Sequence, residues 1–179
     1  MKPRGPLMIE HRLIERMLDI VAARTVEIGK TGTVDPVFID TTVDFIKTYA
    51  DRTHHGKEED ILFMELEKKD LSPRDKRGLD ELVDEHVRAR AHVKELIEAK
   101  ERFVAGENGA LDRIVAALSW LVGFYPKHIE KEDKVFFPDT ERYFDDGELD
   151  AMLADFHEFD RKMIHEKYRA LVDSLAPAR

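Results

Sequence analysis

Apolar residues recur every three or four positions along most of this chain, and strict alternation of apolar and polar residues persists nowhere. That periodicity is typical of amphipathic helices and predicts an all-α protein without strands. Five helices are expected. Four of them should form a bundle over about 6–145, and an additional C-terminal helix should span about 148–175, so that 1–179 make one domain.

Helix boundaries are marked by capping residues and glycines. Asp35-Pro36 and Ser72-Pro73 each combine an N-cap residue with proline at the first helical position, and glycine-containing turns follow the first and third helices. Short connections favour antiparallel neighbours, so an antiparallel up-down-up-down four-helix bundle is predicted. Pro126 lies inside the fourth helix and is expected to kink it without necessarily ending it.

Composition narrows the classes of partner. The 179 residues are 42% hydrophobic and 37% charged, which is typical of a globular chain, and the net charge of −9 argues against nucleic acid. We expect no membrane span and no signal peptide, and therefore a cytoplasmic location. The absence of cysteine excludes disulfides and thiolate ligands. The sequence leaves the oligomeric state open.

One pattern occurs twice, as HGKEEDILF at 55–63 and HIEKEDKVF at 128–136. Both copies place a histidine and a glutamate four residues apart, which stacks the pair on one face of a helix. The first and third helices each carry a histidine on the apolar face, His11 and His86. Residue counts from the connecting turns, at 1.5 Å per residue, place all four histidines in one layer.

Four imidazoles and two carboxylates would be costly to bury without partners. Two divalent ions would satisfy them, with both carboxylates bridging. The predicted ligands are His11 and His55 on one ion, His86 and His128 on the other, and Glu59 and Glu132 between them. Imidazole and carboxylate together suit iron, zinc or manganese.

The four segments resemble the hemerythrin-like (HHE cation-binding) family over about 7–145, through EHRLIERML, EEDILF, DEH and HIEKEDKVFFP. The resemblance implies a cofactor of two iron ions in a non-haem di-iron centre. The ligand of this centre would be dioxygen, another small diatomic molecule such as nitric oxide, or peroxide. An alternative is an iron-responsive regulatory or iron-handling module without turnover, so whether the protein is an enzyme stays open.

This chain departs from the pattern of the oxygen-carrying members of that family. They place a second histidine where Arg90 stands, which leaves at most four protein ligands for each ion here. The departure disfavours simple reversible oxygen carriage and favours sensing or redox chemistry. His165, on the fifth helix, is predicted to approach the metal layer closely enough to coordinate or to hydrogen-bond a metal-bound water. The alternative for His165 and Tyr168 is a packing role.

Several neighbouring residues are assigned lesser roles. His54 is expected at the surface or at a helix interface, and Glu58 is expected to face solvent. Tyr49 and Tyr125 either line the ligand pocket or pack in the core. Three further residues are expected to lie outside the site, namely Glu15, His92 and His157.

Overall fold

The computed structural model describes the backbone of residues 2–175 and the side chains of residues 2–163, and all regular structure in that part is helical. The predicted all-α class is confirmed. The five helices are α1 (Arg4–Thr31), α2 (36–67), α3 (Pro73–Val104), α4 (110–140) and α5 (Asp146–Leu175), with a short 3₁₀ turn at Glu141–Tyr143 between the last two.

The predicted helix starts follow from local capping. The Asp35 carboxylate accepts a hydrogen bond from the backbone N–H of Val37 at 2.9 Å, and the Ser72 hydroxyl accepts one from that of Asp75 at 3.2 Å. Proline follows each cap at a position where no N–H donor is needed. These caps satisfy donors that the first helical turn otherwise leaves unpaired.

Two helices are not α-helical throughout. Helix α2 contains π-helical segments at Ile46–His55 and Glu58–Phe63, and α4 contains one at Glu132–Phe136. In such segments the backbone bonds reach one residue further than in an α-helix, so the turn is wider and the following side chains rotate about the axis. The π segments coincide with both copies of the repeated motif.

The change of register is visible in α4. An α-helical spacing from the motif predicts Val135 in the core, yet Val135 is 43% exposed, whereas Phe136 and Phe137 are buried. The regular α-helix Ala110–Lys131 continues through Pro126, which therefore does not end it. The widened turn follows directly after that segment.

The apolar core is divided into two clusters. One contains Ile14, Leu96 and Leu118, and the other contains Leu7 and Leu66 together with residues of α5. On each of α1 to α4 the buried histidines fall between the residues of these clusters. A polar layer is therefore enclosed by hydrocarbon on both sides. Of the helices described, none combines the length and the hydropathy that a membrane span requires.

Candidate metal centre

Five histidines and two glutamates meet in the polar layer. They form two groups, and within each the potential ligand atoms lie within 4.8 Å of one another. The first group is His55, His86 and His128, and the second is His11, His54, Glu58 and Glu132. Each of these side chains is at most 2% exposed, so the whole set is withdrawn from water.

The two carboxylates of the second group lie beside imidazoles of both groups. One oxygen of Glu132 is 3.2 Å from Nε2 of His11, and the other is 3.2 Å from Nε2 of His128. Glu58 has one oxygen 3.6 Å from Nε2 of His54 and the other 3.5 Å from Nε2 of His86. Each carboxylate therefore turns one oxygen towards each group, which is the arrangement that bridging two ions requires.

Nine buried ligand atoms in this layer have no hydrogen-bond partner. They are Nε2 of His11, His54, His55, His86 and His128, and both carboxylate oxygens of Glu58 and of Glu132. Burying a polar atom unpaired costs roughly 1–3 kcal/mol, and more for a charged group. So many orphan nitrogen and oxygen atoms in one place fit a metal-cation site. Nitrogen and oxygen ligand atoms of this kind suit iron, zinc or manganese.

Each imidazole is held through its second nitrogen. All five Nδ1 atoms have a carboxylate partner: Asp133 for His11 at 2.7 Å, Glu10 for His54 at 2.9 Å, Asp51 for His55 at 3.4 Å, Glu59 for His86 at 2.6 Å and Glu85 for His128 at 2.8 Å. An Nδ1–H that donates to a carboxylate leaves Nε2 as the free donor atom and fixes the ring orientation. This is the usual support for histidine that binds a metal.

A cation in turn balances each of these carboxylates. Arg12 pairs with Asp133, Lys57 with Glu10, Lys131 with Glu85, and Arg90 with both Asp51 and Glu59. Lys57 is itself fully buried, and it also reaches Asp160 of α5 at 2.7 Å. The site is therefore built as successive layers of imidazole, carboxylate and cation.

Burial shifts the acid–base properties of the two central carboxylates in opposite directions. Burial and the neighbouring Glu132 raise the pKa of Glu58 well above its usual range. Burial acts in the same sense on Glu132, but His128, His11 and His86 outweigh it and lower the pKa of Glu132 well below its usual range. Glu132 is therefore more readily ionised than Glu58, and a bound dication would favour ionisation of both.

The histidines also differ. Burial disfavours a charged His11, but its hydrogen bond to Asp133 and the nearby carboxylate of Glu132 outweigh this effect and raise the pKa of His11 to about 9. Burial lowers the pKa of His54 to about 4 and that of His55 well below its usual range. The rings of His54 and His55 are therefore favoured in the neutral form, which is the form that binds a metal.

The structure brings the four predicted histidines into one layer, but it groups them differently from the prediction. His55 lies with His86 and His128, and its ring stacks on that of His86 at 3.8 Å, whereas His11 lies with His54. The expectation that His54 is at the surface or an interface is corrected, since it is 1% exposed and belongs to the centre. A fifth imidazole is thus present.

The predicted position of Glu59 is also corrected. Its carboxylate lies outside both groups and contacts Nδ1 of His86 and the guanidinium of Arg90. The neighbouring Glu58, expected to face solvent, is fully buried inside the second group. The prediction failed by one residue because it assumed α-helical spacing through a segment whose turns are π-helical. The sequence did contain a sign of this ambiguity. His54 and His55 are consecutive, as are Glu58 and Glu59, so either member of each pair could face the core.

The remaining residues lie around the centre. Tyr125 is buried and lines a cavity beside His55, whereas Tyr49 stacks on Phe45 at 5.2 Å. Glu15 pairs with Arg12 at 3.1 Å outside both groups, His92 lies against Trp120, and His157 is exposed, as expected. His165 and Tyr168 lie outside the residues whose side chains are described, so their roles stay predictions.

A cavity of about 180 Å³ leads from the surface to His55. Its apolar wall is formed by residues of α2 and α3, including Ile46, Val93 and Ile97, while Asp51 and Arg90 supply charged groups. The volume suits a small molecule, and the apolar wall favours an uncharged one.

Comparison with known proteins identifies one family. The family model described as hemerythrin HHE cation binding domain matches residues 6–103 and, in a second overlapping match, residues 77–176. The first match alone covers more than half of the chain. Searches of curated proteins and of solved structures returned no match.

Proposed function

Because the chain belongs to the hemerythrin HHE cation-binding family, we propose that it is a non-haem di-iron protein that binds or reacts with dioxygen, peroxide or nitric oxide. The observation that carries the proposal is the set of nine orphan ligand atoms, five imidazole nitrogens and four carboxylate oxygens, enclosed in an apolar interior. In the described part of the chain, no other interaction would offset the free-energy cost of burying so many unpaired polar groups.

Each residue of the centre then has a distinct part. His55, His86 and His128 would bind one ion through Nε2, and His11 and His54 the other. Glu58 and Glu132 would bridge the pair, since each has one oxygen towards each group. When bound, the iron pair supplies redox chemistry and coordination positions for a small ligand.

The surrounding protein controls access. Phe63 stacks beside His86 at 5.9 Å, Phe137 beside His11 at 5.9 Å and Phe124 beside His128 at 5.3 Å, and these rings exclude water from the imidazoles. The cavity beside His55 is one route by which a small molecule could reach the imidazoles from the described surface. An apolar route favours uncharged diatomic ligands and hydrogen peroxide over larger substrates.

The proposal includes the arrangement of the chain. We propose one domain over 1–179 in which α1 to α4 run up-down-up-down, because a few residues connect each helix to the next. Such an arrangement would place the buried histidines of the four helices at one level, which agrees with the layer in which they lie.

The first test is metal content. Protein expressed in iron-supplemented medium should contain close to two irons per chain, with near-ultraviolet absorption that changes when azide or peroxide is added. Steady consumption of peroxide or nitric oxide would assign an enzyme. Stoichiometric zinc without iron under those conditions would exclude the oxygen chemistry and leave the metal site.

A regulatory or iron-handling module without turnover is a second candidate, favoured by one observation. Lys57 joins Glu10, which holds His54, to Asp160 of α5, and the ring of Phe159 packs against Gly56. The C-terminal helix is thus tied to the metal layer. Hydrogen exchange in α5 that changes with iron loading, in a protein without turnover, would favour this candidate over an enzyme.

A further inference from the structure

Arg90 makes two contacts that differ in kind from those of the other cations around the centre. Its Nε donates to an oxygen of Asp51 at 2.8 Å, and its Nη2 donates to an oxygen of Glu59 at 2.7 Å. Arg12 and Lys131 each contact only one of the carboxylates that hold the histidines. A rigid, planar guanidinium is suited to fix two acceptors at once.

The two carboxylates hold two histidines of the same group. The Asp51 oxygen that accepts from Arg90 also lies 3.4 Å from Nδ1 of His55, and the Glu59 oxygen that accepts from Arg90 lies 2.6 Å from Nδ1 of His86. The hydrogen bond at 3.4 Å is long, so the position of Asp51 depends strongly on its second partner.

The two imidazoles also depend on each other. The rings of His55 and His86 are stacked, with centroids 3.8 Å apart and planes 10° apart. Both present an unpaired Nε2 to the group that also contains His128. A shift of either carboxylate would therefore disturb both ligand atoms.

We propose that Arg90 is a positioning residue for one half of the metal centre, acting through Asp51 and Glu59 to hold the stacked pair His55 and His86. This inference rests on the proposed metal-binding function. It predicts an asymmetry, because removing Arg90 loosens two of the three imidazoles of one group and leaves His11 and His54 supported by Asp133 and Glu10.

The first experiment needs no metal. Nuclear magnetic resonance of the metal-free protein would follow the Nδ1–H protons of His55 and His86 in wild type, R90K and R90Q. We expect faster exchange with water for these two protons in R90Q, with partial rescue in R90K, while the Nδ1–H protons of His11 and His128 are unchanged. Equal exchange at all four histidines in wild type and both variants would overturn the proposal.

The second experiment measures metal binding by stepwise titration with Co²⁺. We expect one of the two equivalents to bind about tenfold or more weakly in R90Q, the usual effect of removing support behind a metal ligand, and the other to be unchanged. Lys47→Gln is the matched control, since Lys47 lines the same cavity and its replacement also removes one positive charge. Equal weakening in both variants would overturn the positioning role in favour of a general field effect.

The third readout is the reduction potential of the iron-loaded protein. Without Arg90, the negative charge of Asp51 and Glu59 acts fully on the two imidazoles, which favours the ferric state, so the potential should fall further in R90Q than in K47Q. If no metal binds to any form, the proposed function fails, and the exchange measurement still decides the role of Arg90. If R90Q does not fold, R90K supplies the exchange and titration comparisons, because lysine keeps the charge and loses the planar two-acceptor geometry.

Discussion

Replacing Glu58 by leucine should have opposite effects on stability with and without metal. The Glu58 carboxyl group is fully buried, and neither oxygen has a hydrogen-bond partner. Leucine of similar volume removes this unsatisfied group, so the free energy of unfolding of the metal-free protein should rise by about 1–3 kcal/mol. For a chain of this size, roughly 2–4 °C in Tm corresponds to each kcal/mol.

With metal bound, the Glu58→Leu variant should be less stable than the wild type. A ligand at about one thousand times its Kd stabilises the native state by about 4 kcal/mol for each ion. Glu58→Leu removes one oxygen from the neighbourhood of each group, so both ions lose a donor and most of this gain disappears. Thermal unfolding by circular dichroism, with and without Co²⁺, measures both effects on one sample.

Glu59→Leu is the matched control, one residue away. Glu59 is partly exposed and contacts Nδ1 of His86 and Arg90, so its loss should lower stability without metal and weaken binding by about 10–100-fold, while two ions still bind. The reasoning is refuted if Glu58→Leu binds two ions with wild-type affinity and Glu59→Leu binds none.

Three further predictions follow from the same contacts. His54→Leu should lower the metal content from two ions to about one, because it halves the imidazoles of its group; metal analysis showing two tightly bound ions would contradict this. Because the pKa of His11 is raised to about 9, a proton competes with the metal for this imidazole below that pH. The affinity for Zn²⁺ should therefore rise about tenfold per pH unit for each proton displaced and level off near pH 9. Titrations at several pH values that give a constant affinity would argue against this prediction. Gly56→Ala would place a methyl group 2.7 Å from the far end of the Phe159 ring, so that ring must move and hydrogen exchange in α5 should speed up. Gly123→Ala, with open space around it, should stabilise its helix by up to about 1 kcal/mol and should therefore be the more stable variant; equal unfolding free energies of the two variants would show that α5 is not packed as described.

Much of the fold can be predicted from the local sequence. The capping residues Asp35 and Ser72 start their helices where expected, because a side-chain oxygen and a following proline act within one turn and need no distant partner. The level of the histidines could also be predicted, since the rise per residue of a helix is constant and short connections leave little freedom in register.

The identity of the inward-facing residues was decided by the tertiary structure. Neighbouring residues on an α-helix point about 100° apart, so the pattern alone allows one residue of His54 and His55, and one of Glu58 and Glu59, to face the core. The π-helical turns direct both His54 and His55 inward, and they bury Glu58 rather than Glu59. Local periodicity does not encode such turns, because a π-helical turn is rarely stable by itself. Here packing between helices, and in our proposal the metal ions, supply the stabilisation that local sequence does not.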